Sequence, residues 1–305
     1  MADRASGLAG PSIWQRMRTH RVIVICGWLL GLIALLVIVA PPFFPEAYTH
    51  PSALQYAPPS WAHPFGTDLN GRDLLYRVLT GTRVSLLVGL CGALISLCVG
   101  TSYGLVAGYF GGAIDSVMMR IVDAFHSIPR LLLILASIGV FNLTLRKFAA
   151  AHGWQWLVDY SSIVILVIAL GVIEWLTMAR IVRGQVLALK TRQFITAAQA
   201  LGQSHVRILF RHLLPNLLGV IIIYLTLTIP AVIIDESFLS FLGLGIQAPQ
   251  ASLGSLLADG TIAINPVRNL WWMIVFPSAF MAANLLLLNF LGDALRDVLD
   301  PRQQP

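Results

Sequence analysis

Charge is what this chain has least of: 11% of its 305 residues are Asp, Glu, Lys or Arg, while 57% are hydrophobic, against about a quarter charged in typical soluble domains. A soluble fold has nowhere to bury that surplus. Cysteine is scarce as well. Cys26, Cys91 and Cys98 fall inside apolar stretches and have no metal-ligand spacing with histidine, so they read as small core residues and leave the redox compartment open. No Gly-Lys-Ser/Thr phosphate loop occurs, so the chain does not cradle ATP in that fashion. An intramembrane hydrolase finds no catalytic pair either. Glu174 stands alone in its stretch, and the neighbours Asp235 and Glu236 point about 100° apart on a helix instead of converging.

Long hydrophobic runs are what the chain has instead. Val22 to Ala40 holds no charge and no proline, and at about 1.5 Å per residue it just crosses a hydrocarbon core of about 30 Å. Further apolar stretches lie at 84–108, 131–145, 161–179, 217–240 and 270–291. The expected fold is an all-α membrane protein with six transmembrane helices. The stretch 131–145 is short and Pro129 blocks its backward extension, so it is expected to be tilted, kinked or only partly in lipid. Arg16, Arg18 and Arg21 precede the first run as they would in a signal peptide. Its length, and Pro41 and Pro42 where a cleavage site belongs, favour an uncleaved anchor.

Positive residues set the orientation, because basic loops stay on the cytoplasmic side. With both termini inside, the inner segments hold 14 of the 20 lysines and arginines. The chain then divides into a cytoplasmic tail 1–21, a first span 22–40 and an extracytoplasmic loop 41–83. A core of five spans follows over 84–292, carrying a cytoplasmic loop 184–216, and then a cytoplasmic tail 293–305. The net charge of +6 reflects this topology and contact with lipid. Nucleic acid is not expected as a partner, since no soluble basic face with stacking aromatics is present.

The outer loop 41–83 carries seven prolines and the string His63-Pro-Phe-Gly-Thr-Asp-Leu-Asn-Gly-Arg-Asp73. Asp68 and Asn70 suit turns and caps, Gly71 suits a positive φ, and a short amphipathic helix is expected from about Asp73. Its carboxylates lack calcium-loop spacing, so no metal site is assigned. The second run carries small residues every fourth position, at Gly92, Ser96, Gly100, Gly104 and Gly108. In lipid such a stripe serves close helix–helix packing.

The loop between the fourth and fifth runs reads Arg192-Gln-Phe-Ile-Thr-Ala-Ala-Gln-Ala-Leu-Gly202, then Gln203-Ser-His-Val-Arg-Ile-Leu-Phe-Arg-His-Leu-Leu-Pro-Asn216. Phe194, Ala197, Ala198 and Leu201 recur at helical spacing, as do Val206, Leu209, Phe210 and Leu213. Two short amphipathic helices are expected, with Gly202 ending the first in a left-handed conformation, Ser204 capping the second and Pro215 ending it. The product is a basic elbow whose first arm can enter a groove on a soluble partner.

At these residues the chain resembles the permeases of bacterial ABC importers, whose cytoplasmic loop follows an E-A-A, three residues, G pattern with a basic His-Leu-Pro-Asn-like end. Ala197, Ala198, Gly202, His212, Leu213, Pro215 and Asn216 match it, while Thr196 stands where the family usually has Glu. The likeness is greater to the second permease of the oligopeptide and dipeptide branch, through the outer-loop string 63–73, Trp175 to Gly184, and Glu236 to Gly245. The resemblance implies the type I importer (MetI-like) permease fold, in the bacterial inner membrane. It implies a coupling loop bearing Phe194, Thr196, Ala197, Ala198, Leu201, Gly202, Arg207 and Arg211. From the residues themselves, Pro230 removes a backbone bond in the fifth run and invites a bend that either gates a path or is a static kink. Asp235 and Glu236 near the outer end of that run either face the path or pair with a base. The resemblance further implies a second homologous permease, two ATPase subunits or domains that hold ATP and Mg, and an extracytoplasmic peptide-binding protein. No cofactor is expected on this chain. The same branch includes importers of nickel complexes, haem and some sugars. A passive channel or uncoupled scaffold is a further reading that the Thr196 departure leaves open. Residues 142–162 match no motif of the branch and read as an interfacial loop with Trp154 and Trp156 at the membrane surface.

Overall fold

The computed structural model describes residues 13–43, 51–246, 250–264 and 268–299. Among them every regular element is helical: α1 (Ile13–Thr19), α2 (Arg21–Phe43), α3 (Leu74–Phe110), α4 (Gly112–His126), α5 (Arg130–Ala151) and α6 (Gln155–Asp159). There follow α7 (Ser161–Lys190), α8 (Gln193–Ala200), α9 (His205–Phe241), α10 (Leu253–Ile262) and α11 (Trp272–Leu299). Six of these, α2, α3, α5, α7, α9 and α11, are long and apolar enough to cross a membrane.

The helices outrun the apolar stretches of the sequence. Helix α3 has 37 residues, or about 55 Å at 1.5 Å per residue, so its ends stand clear of a hydrocarbon core of about 30 Å. It begins at Asp73, whose carboxylate accepts from the Leu75 and Tyr76 amides. The expected short helix at Asp73 is therefore the first turn of the second span. Helix α5 reaches 22 residues, longer than 131–145, because it runs on past Leu145 to Ala151; Pro129 sits just before its first turn, where a missing N–H costs nothing. Pro41 and Pro42 lie inside α2.

Pro215 also departs from expectation. It sits in the first turn of the segment Leu214–Phe241, and a π-helical stretch Ile208–Leu213 joins that segment to His205–Arg207 without a break. The wider π turn accommodates a proline whose ring would clash with an α-helical carbonyl one turn back. Ser204 has extended dihedrals at the helix start, but its hydroxyl makes no capping bond.

Helices α3 and α7 form the centre, and the glycine stripe is the reason. A Cβ placed on Gly100 would lie 2.8 Å from the Trp175 carbonyl oxygen, and one on Gly104 would lie 2.5 Å from that of Ala179. On the other helix, a Cβ on Gly171 would stand 3.0 Å from the Gly92 carbonyl oxygen. The two backbones approach within the space that a methyl group would fill, which is how helices gain dispersion contact where lipid competes for every apolar surface. In its most apolar stretch, α7 has 61% of its residues buried, against 6% for α5 and 11% for α2 and α11. The latter three form the periphery.

Three apolar clusters stack along this axis. One, around Leu105, Tyr109, Val182, Val186, Ile195 and Leu213, roots the elbow. A middle one joins Val88, Leu166, Leu170, Val232 and Leu239. The third closes the outer loop over Leu74, Val78, Leu253, Leu256 and Trp272. There Asp68, fully buried, accepts from the Asn70 and Arg72 amides and from the guanidinium groups of Arg72 and Arg77. Arg77 also reaches Asp259 at 3.1 Å, tying the loop string 63–73 to α10.

Candidate functional site

The elbow is a helix–turn–helix clamped onto the ends of α3 and α7. Helix α8 ends in a Schellman turn. The Gly202 amide donates to the Gln199 carbonyl at 2.9 Å and the Gln203 amide to the Ala198 carbonyl at 3.2 Å, with Gly202 at φ +70°. That conformation costs an L-residue about 1 kcal/mol or more, and glycine almost nothing. Beyond the turn, the Tyr109 hydroxyl meets His205 Nδ1 at 2.8 Å, and Gln203 Oε1 meets His212 Nε2 at 2.8 Å. Lys190 Nζ donates to the Tyr109 carbonyl at 2.5 Å, and Asn216 Nδ2 to the His212 carbonyl at 2.6 Å. Both histidines are thus engaged in fixing the elbow.

The inward and outward faces differ from a simple reading of the apolar pattern. Ile195, Ala198, Ile208, Leu209 and Leu213 are the buried anchors. Phe194, Thr196, Ala197, Leu201, Gly202, Arg207 and Arg211 face outward. Of the eight coupling-loop residues expected from the sequence, Ala198 alone points into the core. Leu201 is 79% exposed, Val206 64% and Phe210 63%. Apolar side chains this open, interleaved with arginines in an otherwise basic loop, form a patch with the composition of an interaction surface. Thr196 spends its hydroxyl on the Gln193 carbonyl one turn back, at 2.9 Å.

Helix α4 braces the elbow end. Arg183 grips Asp115 with two bonds, Nε to Oδ1 at 2.5 Å and a terminal nitrogen to Oδ2 at 2.6 Å, and Arg180 reaches Asp123 at 2.7 Å. The bonds from Arg183 hold the Asp115 carboxyl below the usual carboxylate range.

The residues expected on a gate or path fall into two separate settings. Pro230 lies buried inside α9, where its ring leaves the Thr226 carbonyl without the usual helical donor. Asp235, five residues on, shares one nitrogen of Arg130 with Glu174, so a single guanidinium bridges α5, α7 and α9. Glu236 turns the other way and is fully buried. It accepts from Ser85 at 2.8 Å, Ser240 at 2.7 Å and Ser237 at 3.3 Å. Ser85 in turn accepts from the Leu253 amide and Ser240 from the Ile246 amide, at 3.3 and 3.0 Å. Glu236 therefore pins α3, α9 and the segment after α9 together, with its carboxylate sealed from solvent.

Arg130 and Ser85 carry no signal in the sequence beyond their types, since their partners lie 44 to 151 residues away. Within 142–162, Phe148, His152 and Trp154 form a ring cluster at the α5–α6 corner. Among the described residues no group of three His, Cys, Asp or Glu could hold a metal ion.

Six spans around a glycine-packed helix pair, with an exposed basic elbow between the fourth and fifth, define a membrane transport component. Residues 100–305 match the family model described as the inner membrane component of binding-protein-dependent transport systems. Residues 12–59 match the N-terminal transmembrane domain of oligopeptide transport permease C. The chain belongs to this family of inner-membrane transport components. It is 40% identical to the oligopeptide transport system permease protein OppC of Haemophilus influenzae, over 100% of this chain and 94% of that one. Against OppC of Escherichia coli K12 it is 42% identical over 97% and 93%. Against the dipeptide transport system permease protein DppC of Bacillus subtilis it is 39% identical over 95% and 84%. In fold it matches a chain of the MetNI methionine ABC transporter in an inward-facing conformation, with a TM-score of 0.58 at 19% identity over 74% of this chain and 98% of that one.

Proposed function

We propose that this chain is a permease subunit of an ATP-driven importer that takes oligopeptides or dipeptides across the bacterial inner membrane. The observation that carries the reading is the elbow, an exposed patch of Phe194, Leu201, Val206 and Phe210 between arginines, rooted through Ile195 and Leu213 in the ends of α3, α7 and α9. A soluble ATPase that seats this patch and closes on ATP moves three spans at once. The elbow faces the cytoplasm, where basic loops are retained. Relatives named as oligopeptide and dipeptide permeases support the substrate class.

ATP and Mg reside on the partner ATPases, and the path is shared with a second, homologous permease. An extracytoplasmic binding protein delivers the peptide and sets its specificity. Pro230 supplies a flexible point in α9, since a missing backbone bond lowers the cost of bending there. The test is co-purification after mild detergent extraction, followed by uptake in proteoliposomes. Two ATPase domains per permease pair and ATP-dependent accumulation of a labelled peptide are expected. A permease that purifies without an ATPase, or that passes peptide down its gradient without ATP, would overturn the reading.

A further inference from the structure

The charges at the Arg130 junction do not balance. One guanidinium faces two carboxylates, Glu174 from α7 and Asp235 from α9. His126, the other titratable group beside it, is held below its ordinary pKa by partial burial and then by Arg180, so it adds no charge at pH 7. Arg180 and Asp123 neutralise one another a turn away. With both carboxylates ionised, the junction carries one more negative than positive charge at membrane depth, where uncompensated charge is costly and normally faces water or a partner.

The junction is open. The Arg130 side chain is 41% exposed and Asp235 is 20% exposed, against 10% for Glu174. A cavity of about 250 Å³ lies alongside, lined by His126, Ser127, Arg130, Glu174 and Thr177. This is not the setting of a sealed structural ion pair such as Asp68 with Arg77, whose side chains are 1% and 6% exposed.

We infer that the Arg130–Glu174–Asp235 junction is a transit site for a cationic group of the transported solute, an ammonium or guanidinium. The inference rests on the peptide-import reading above and names a contact within it. A cation reaching the exposed side of the junction takes Asp235, and Arg130 stays with Glu174, the carboxylate that lines the cavity. Two neutral pairs then replace a cluster with one surplus charge. Asp235 is the acceptor because it is the more open carboxylate and lies beyond Pro230 on the span that the elbow moves. Every peptide with a free amino terminus carries such a cation, and lysine and arginine side chains add more.

The experiment uses the full importer in proteoliposomes, with binding protein saturated by peptide so that delivery is equal. Initial uptake is measured for two pairs of peptides. One pair has the same backbone with a central Lys or Glu. The other has a neutral sequence with a free or an acetylated amino terminus. A partly exposed charge pair contributes up to about 1 kcal/mol, or about fivefold in rate. The parent should therefore move the cationic member of at least one pair about fivefold faster. Asp235→Asn should bring that ratio close to one by slowing the cationic member, and Asp235→Glu should keep it. The pair that loses its ratio tells the side chain from the terminus. A ratio of one for both pairs in the parent, an unchanged ratio in Asp235→Asn, or an equal slowing of both members would overturn the inference. A parent complex that hydrolyses ATP but accumulates no peptide would instead overturn the import reading beneath it.

Discussion

Replacing Gly104 by alanine tests whether the centre of the molecule is a backbone-to-backbone contact. The added methyl would sit 2.5 Å from the Ala179 carbonyl oxygen, 2.8 Å from Val182 Cβ and 3.0 Å from the Arg183 amide nitrogen. Two of these are backbone atoms of α7, so no rotamer change relieves them and the helices must part. Overpacking of this kind costs about 1–3 kcal/mol. Alanine recovers up to about 1 kcal/mol of helix propensity relative to glycine. The net expectation for Gly104→Ala is a loss of about 1–2 kcal/mol. Gly184, on the exposed face of α7, has nothing within 4 Å of the position an added methyl would take. It supplies the control, and Gly184→Ala should be neutral or stabilising by up to about 1 kcal/mol. Thermal unfolding of the two purified variants in one detergent measures the difference directly. Equal midpoints would refute the packing account.

Three further outcomes follow from local geometry. Gly202→Val should weaken the elbow turn by about 1 kcal/mol or more from its φ of +70° alone, and ATP turnover should become less responsive to loaded binding protein in reconstituted vesicles. Glu236→Ala should lower the unfolding midpoint well below that of Glu236→Gln, because it leaves the buried hydroxyls of Ser85 and Ser240 without their acceptor, at about 1–3 kcal/mol for each group stranded. Asp115 has its folded pKa depressed by Arg183, so its stabilisation is fully present above the ordinary carboxylate value of about 3.9 and is lost as pH falls through the lower folded value. Acid titration of thermal stability should show that loss in the parent and not in Asp115→Asn.

The sequence is informative where a single residue type decides the outcome. Val22 to Ala40 forms a helix long and apolar enough to span, Gly202 takes the positive φ its place in the elbow requires, and the small residues of α3 pack against α7 because bulk is missing there. It is less informative where partners are distant. Nothing near Arg130 announces that its guanidinium will meet carboxylates 44 and 105 residues on, and Glu236 gives no hint that Ser85, 151 residues away, will donate to it. Boundaries differ for another reason. Hydropathy marks where lipid begins, whereas helices continue past it, so α3, α7 and α9 each project beyond their apolar stretches. On the elbow the helical periodicity is real but its direction is not legible. Phe194 and Leu201, expected on the coupling arm, do face outward, whereas Ile195 and Ile208, which the apolar pattern does not single out, are the residues that face inward.

The central claim is that the outward face of the elbow is where an ATPase sits, and Leu201→Asp tests it most directly. Leu201 is 79% exposed, so folding and membrane insertion should be unaffected, while a charge placed in an apolar interface should be rejected by the partner. The measurement is the amount of ATPase that co-purifies per permease. A fall of about tenfold or more with equal permease in the membrane is predicted, together with loss of uptake. Undiminished ATPase and undiminished uptake in Leu201→Asp would contradict the account.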